Sequence, residues 1–175
     1  MTAIARATLP LVLIVILAGH ATAQDTGPIV SEGVVAAPVD AVWAAWTTSD
    51  GLRSWLAPHA EIELRIGGLM RANYSAQGAL GDPQTIENAI LSFEPRKMLS
   101  IRVAKCPNDF PFPNAIAEMW TVLYFDPVDQ GHTRIRVVGL GFRAGEESQK
   151  MRAFFERGNA TTVEQLQRHF SQVRR

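Results

Sequence analysis

One block of the chain constrains the fold more than any other. It reads Val35-Ala36-Ala37-Pro38-Val39-Asp40-Ala41-Val42-Trp43, then Thr47-Thr48-Ser49-Asp50-Gly51-Leu52-Arg53-Ser54-Trp55, then Glu61-Ile62-Glu63-Leu64 and Gly67-Gly68. Pro38 suits the first position of a helix, where its missing N–H costs nothing, and Asp40 places negative charge near that N-terminus. Val39, Val42, Trp43 and Trp46 then fall at helical spacing and make one apolar face. The polar run at 47–50 breaks this helix and offers N-caps for a second, which extends to about Trp55 before Pro58 closes it. From Ala60 the period becomes two: Ile62, Leu64 and Ile66 alternate with Glu61, Glu63 and Arg65, as in a strand with one wet face. Gly67-Gly68 reads as a hairpin turn. The order is strand, two short helices meeting at a polar corner, and strand.

Around this block the chain alternates strands and turns. A first strand is expected over 29–36, and others over 69–76, 84–93 and 98–104. Residues 105–115 hold Pro107, Pro111, Pro113, Phe110 and Phe112, a composition that excludes regular strand or helix. Strands over 118–125 and 133–142 flank a loop at 126–132. Gly139-Leu140-Gly141 suggests a bulge or bend. Residues 145–173 read as one long helix, with Glu146 and Glu147 at its start and Arg174-Arg175 at its end, complementing the macrodipole. Its buried stripe is Met151, Phe154, Phe155, Val163, Leu166 and Phe170. Gly158 lies in mid-helix, where glycine costs roughly 1 kcal/mol against alanine. A close approach of helix to sheet, or a kink, would account for it.

The first 23 residues read as a cleavable signal: Arg6, an apolar core over 9–18, and Ala21-Thr22-Ala23 at the cleavage site. The apolar run is about ten residues, short of the roughly 20 that span a bilayer. The expectation is an exported chain, periplasmic or secreted, with a lead-in at 24–28 and a single domain over 29–175. Seventeen basic residues balance 17 acidic ones, without a basic stripe, so nucleic acid is not an expected partner. No amphipathic basic helix suggests a membrane surface. Cys106 is the single cysteine, which rules out an internal disulfide, a C-x-x-C pair and a thiolate zinc cage. The histidines lack ligand spacing, and neither G-x-S-x-G nor a phosphate-binding glycine loop is present, so no metal, cofactor or nucleophile is expected.

The element order, with Ala37-Pro38, Val42-Trp43, Thr48-Ser49-Asp50-Gly51-Leu52, Trp55, Gly67-Gly68, and the late Phe154-Phe155 and Leu166, resembles the START-like (Bet v 1-like, SRPBCC) superfamily. Within it, the chain is most similar to proteins resembling the activator of heat-shock-protein-90 ATPase. The resemblance spans about 30–170. It implies an α+β helix-grip fold: a curved antiparallel sheet of about seven strands wrapped on a long C-terminal helix, with a cavity between them. Family members are mostly cytosolic, and the Pro/Phe-rich segment is longer than their usual connection.

If such a cavity exists, Trp55, Trp120, Phe110 and Phe112 would supply aromatic contact, and the 105–115 insertion a lid. Trp43 and Trp46 read as core. His59 follows Trp55 and would stand near a mouth at that end. Glu87, Arg102 and Glu118, expected in central strands, form either a buried polar cluster or a wet-face salt bridge. Asn159 would hydrogen-bond a ligand from the last helix. The leading expectation is an exported domain that binds a small apolar or amphipathic molecule without catalysis. One alternative is a protein-interaction domain, marked by a collapsed cavity and an exposed patch around Phe110 and Phe112. The other is a cyclase-like or aromatase-like enzyme, an activity found among relatives in the superfamily, using His59, Glu118, Arg102 or Tyr74 for proton transfer.

Overall fold

The computed structural model describes residues 24–173; residues 1–23, where a signal is expected, and Arg174-Arg175 lie outside the described residues. Strand β1 spans Ile29–Val35 and is followed by helices α1 (Val39–Thr47) and α2 (Ser49–Trp55). Strands β2 (His59–Ile62), β3 (Leu69–Asn73), β4 (Ile86–Glu94) and β5 (Met98–Lys105) come next. A short 3-10 turn at Ala115–Glu118 leads into β6 (Trp120–Asp129), β7 (His132–Leu140) and the long helix α3 (Glu146–Val173). The seven strands form one antiparallel sheet in the order β1-β7-β6-β5-β4-β3-β2. This is the helix-grip arrangement expected from the element order.

The opening block folds as its residues dictate. Pro38 precedes the first helical residue in an extended conformation, and Thr48 accepts the Gly51 amide at 3.0 Å as N-cap of α2. Ser49 Oγ accepts the Ile62 amide at 3.1 Å, and Arg53 donates to the Ala60 carbonyl at 2.8 Å, fixing α2 against β2. The second strand is shorter than its alternation suggests. Gly67 N donates to Ile90 O and Ile90 N to Gly68 O, both at 2.8 Å, so this turn is laid against β4 and Ile66 is left 71% exposed. Gly67 takes φ +74°, the left-handed geometry that favours glycine.

Other boundaries differ for equally local reasons. Glu118 belongs to the 3-10 turn rather than to a strand, and the strand start moves to Trp120. Strand β6 runs on to Asp129, closing a tight hairpin in which the Asp129 carboxylate accepts the Gly131 amide and pairs with His132. Gly139 keeps regular pairing with Ile29 and Thr121, so no bulge occurs there. Register shifts fall instead on the β4–β5 pair, between Glu87 and Asn88 and between Ile90 and Ser92, and on the β6–β7 pair between Pro127 and Asp129. Such irregularities bend a sheet.

The main core joins Val35, Val42, Leu52, Ile90, Leu99 and Leu166, with Trp43 edge-on to Phe125 at 5.2 Å. A second cluster gathers Ile29, Ile116, Met119, Phe142 and Met151, with Phe110, Phe112 and Phe155 packed against it. Helix α3 contacts chiefly β1, with β7 and the 3-10 turn. Its close approach is made at Gly33, where an added Cβ would stand 2.7 Å from Val163 Cγ1. Gly158 is not the point of approach: a Cβ there would meet nothing within 4 Å.

Candidate functional site

Because α3 is fastened to the β1 end of the sheet while β4 and β5 curl away, space remains between them. It is a cavity of about 390 Å³. Strands β3–β7 contribute Met70, Ile86, Ile101, Val103, Trp120 and Leu123 among others, and α3 contributes Phe154, Phe155, Gly158, Asn159 and Thr162. Trp46 and Leu56 enter from the helical block, and Cys106, Pro107 and Phe110 from the insertion. No lining residue is charged; the polar members are Tyr74, Asn88, Thr121, Asn159 and Thr162, with Cys106. The interior is therefore suited to apolar matter with a few neutral hydrogen-bonding groups.

Two buried donors belong to this wall. Trp46 Nε1 and Asn159 Nδ2 have no hydrogen-bond partner among the described residues, and the two residues are 5% and 9% exposed. A buried unpaired donor costs about 1–3 kcal/mol. Tyr74 lines the cavity with 57% of its surface open, and desolvation raises its phenol above the ordinary value of 10.0. It is thus a neutral hydroxyl across the physiological range.

The cavity unites Tyr74, Phe110, Trp120 and Asn159 of the residues singled out from sequence. The others stand elsewhere. Trp55 packs edge-on to Trp46 at 4.9 Å and donates its indole N–H to Ala45 O at 3.0 Å, a structural contact between the two short helices. His59 opens β2, with its imidazole Nε2 3.4 Å from Ala76 O, outside the lining. The expected mouth at Trp55 and His59 is therefore corrected. Arg102 is on the exposed face of β5 opposite Ala89, and Glu118 forms an exposed pair with Arg143 at 2.6 Å. Glu87 lies 3.9 Å from both Arg71 and Lys105. No buried Glu87–Arg102–Glu118 cluster forms; these charges stay where water screens them.

Phe112 does not line the cavity but supports Phe110, which does: their rings are 5.6 Å apart, and Phe154 stands 6.0 Å from Phe110 and 5.7 Å from Phe112. The insertion is a packed wall as much as a cover. Its far end is tied to α3 by Glu147, whose carboxylate accepts the amides of Asn114 at 2.9 Å and Ala115 at 3.1 Å. Those bonds, the Ala115 amide foremost, hold the Glu147 carboxyl below its usual range.

The sequence reading assigned Trp46 to the core and missed Leu56, Cys106 and the stripe Phe154–Gly158–Thr162. The stripe had a signal: positions four apart share one helix face, and a residue without a side chain between Phe and Thr breaks an otherwise apolar ridge. Among the described residues, no group of His, Cys, Asp and Glu is placed to hold a metal ion, and no helix is long and apolar enough to cross a membrane.

Sheet, closing helix and interior cavity together define a START-like helix-grip domain. The chain belongs to the family of Activator of Hsp90 ATPase homolog 1-like proteins, whose sequence pattern matches residues 36–171. Among solved structures, it resembles a protein of Mesorhizobium loti at 19% identity and a TM-score of 0.64, over 83% of this chain and 98% of that one. The Aha1 dimer from Colwellia psychrerythraea aligns at 15% identity and a TM-score of 0.62, over 82% and 96%. CalU16 from Micromonospora echinospora aligns at 21% identity and 0.55, over 79% and 71%. At such identities the likeness is one of fold. No protein of curated function matches the sequence.

Proposed function

We propose that this domain binds a small, neutral, largely apolar molecule in the cavity between sheet and α3. The observation that carries the reading is a 390 Å³ interior without one charged lining residue. A charged ligand would lose its hydration there with no partner ion, whereas an apolar one gains about 25 cal/mol for each Å² it buries. Trp120, Phe110 and Trp46 offer flat contact surfaces, and Tyr74, Thr121 and Asn159 offer neutral polar contacts for a carbonyl or hydroxyl. We further propose that the chain acts after export, with the signal removed near Ala23.

The cavity weighs against the two other readings. A proton-transfer enzyme would need acid–base groups on the wall, but His59, Arg102 and Glu118 lie outside it and Tyr74 is held protonated. An interaction surface at Phe110 and Phe112 would need exposed rings, yet both are half-buried against α3. The test uses the chain from Gln24 and N-phenyl-1-naphthylamine, a neutral probe that fluoresces when shielded from water. Binding is expected, together with slower reaction of Cys106, the chain's one thiol and a lining residue, with 4,4′-dithiodipyridine. Absence of both the fluorescence rise and the thiol protection would remove the reading.

A further inference from the structure

Gly158 occupies the interior of a 28-residue helix, where glycine is the poorest choice after proline. The two ordinary reasons for a helical glycine do not apply. Its backbone is not among those with positive φ, and an added Cβ would meet no atom within 4 Å. It is nonetheless a lining residue of the cavity and is exposed to solvent, so that one position borders both interior and exterior. One turn on either side, Phe154 and Thr162 line the same cavity, and Phe154 is 42% exposed. A side chain at 158 would stand in the gap between them.

We propose that the cavity is entered over Gly158, on the side of α3 turned away from β1, and that the lack of a side chain there sets the width of the entrance. The inference rests on the ligand-binding reading above and adds the route and the residue that controls it. Phe154 and Phe110 form one jamb, the aromatic contact at 6.0 Å between α3 and the insertion, and Tyr74 supplies a partly open lining group near the sheet. Substitution at 158 would then slow the passage of wide ligands more than that of narrow ones.

The experiment follows N-phenyl-1-naphthylamine by stopped-flow fluorescence with wild type, Gly158→Ala, Gly158→Leu and Ala160→Leu. Ala160 is exposed and outside the lining, so leucine there places the same side chain on the helix away from the gap. An entrance residue slows entry and exit together. Gly158→Leu is expected to slow both by about tenfold, equivalent to about 1.4 kcal/mol on the barrier, with Kd nearly unchanged. Gly158→Ala should give a smaller effect of the same kind, and it serves alone if the leucine variant does not fold. Ala160→Leu should match wild type.

Unchanged rates in both glycine variants, equal slowing by Ala160→Leu, or a weakened Kd at unchanged association rate would each overturn the entrance while leaving ligand binding standing. A wild-type protein that takes up no probe overturns both.

Discussion

At the scale of single residues, two glycines, one facing α3 and one within it, have opposite meanings. Gly33 is required by contact, since a methyl group would press on Val163 and on the Gln167 amide at 2.8 Å. Gly33→Val should cost about 1–3 kcal/mol through overpacking, whereas Gly158→Ala should add up to about 1 kcal/mol of helix stability. Urea unfolding of the two variants checks both signs. Asn159→Leu removes a buried donor that has no partner among the described residues and should raise the unfolding free energy by about 1 kcal/mol or more; a fall would mean that the amide is satisfied in solution. The sequence marks each of these positions as unusual. It is silent on which glycine meets a neighbour, because that depends on where a helix over a hundred residues away comes to rest.

Elements were more legible than their connections. The Pro38 entry, the Thr48 cap and the 28-residue closing helix follow from local chemistry that tertiary contacts only reinforce. The 63–68 segment was not, because its turn at Gly67-Gly68 is bonded to Ile90, a partner no periodicity reveals. The insertion is similar: its prolines exclude regular structure, while its order comes from Phe154 and from Glu147 on α3. That tie is pH-dependent. The folded Glu147 carboxyl lies below its ordinary 4.5, so its stabilising contribution is present above that value and is lost as pH falls through the folded pKa. Hydrogen exchange at Asn114 and Ala115 should therefore quicken, relative to the β6–β7 amides, on acidification or in Glu147→Ala. Exchange at these two amides that stays as slow in the variant would show that the phenylalanines alone hold the insertion.

For the molecule as a whole, the fold was legible and the site only half so. Tyr74, Phe110, Trp120 and Asn159 line one cavity, but strand alternation alone left the facing of Arg102 open, and chain proximity misassigned Trp55 and His59. The reason is the sheet's curl: which residues look inward depends on the bends in β4–β5, not on the period of any one strand. A ligand held inside should stabilise the whole domain, by about 2.7 kcal/mol at a hundredfold excess over Kd. A rise in Tm with probe concentration measures it. If export occurs, the intact mass of protein from its native host should correspond to a chain starting at Gln24.

The fastening of α3 has a mechanical consequence. Asp25 holds Arg152 at 2.7 Å, Gly33 abuts Val163, and the Val34 carbonyl accepts from Gln167 at 3.0 Å, a row of stitches along β1. The helix is bound like a book along its spine, and the free edge faces β4–β5. Rolling about that spine would widen the interior, and guests of growing breadth should then be accommodated progressively.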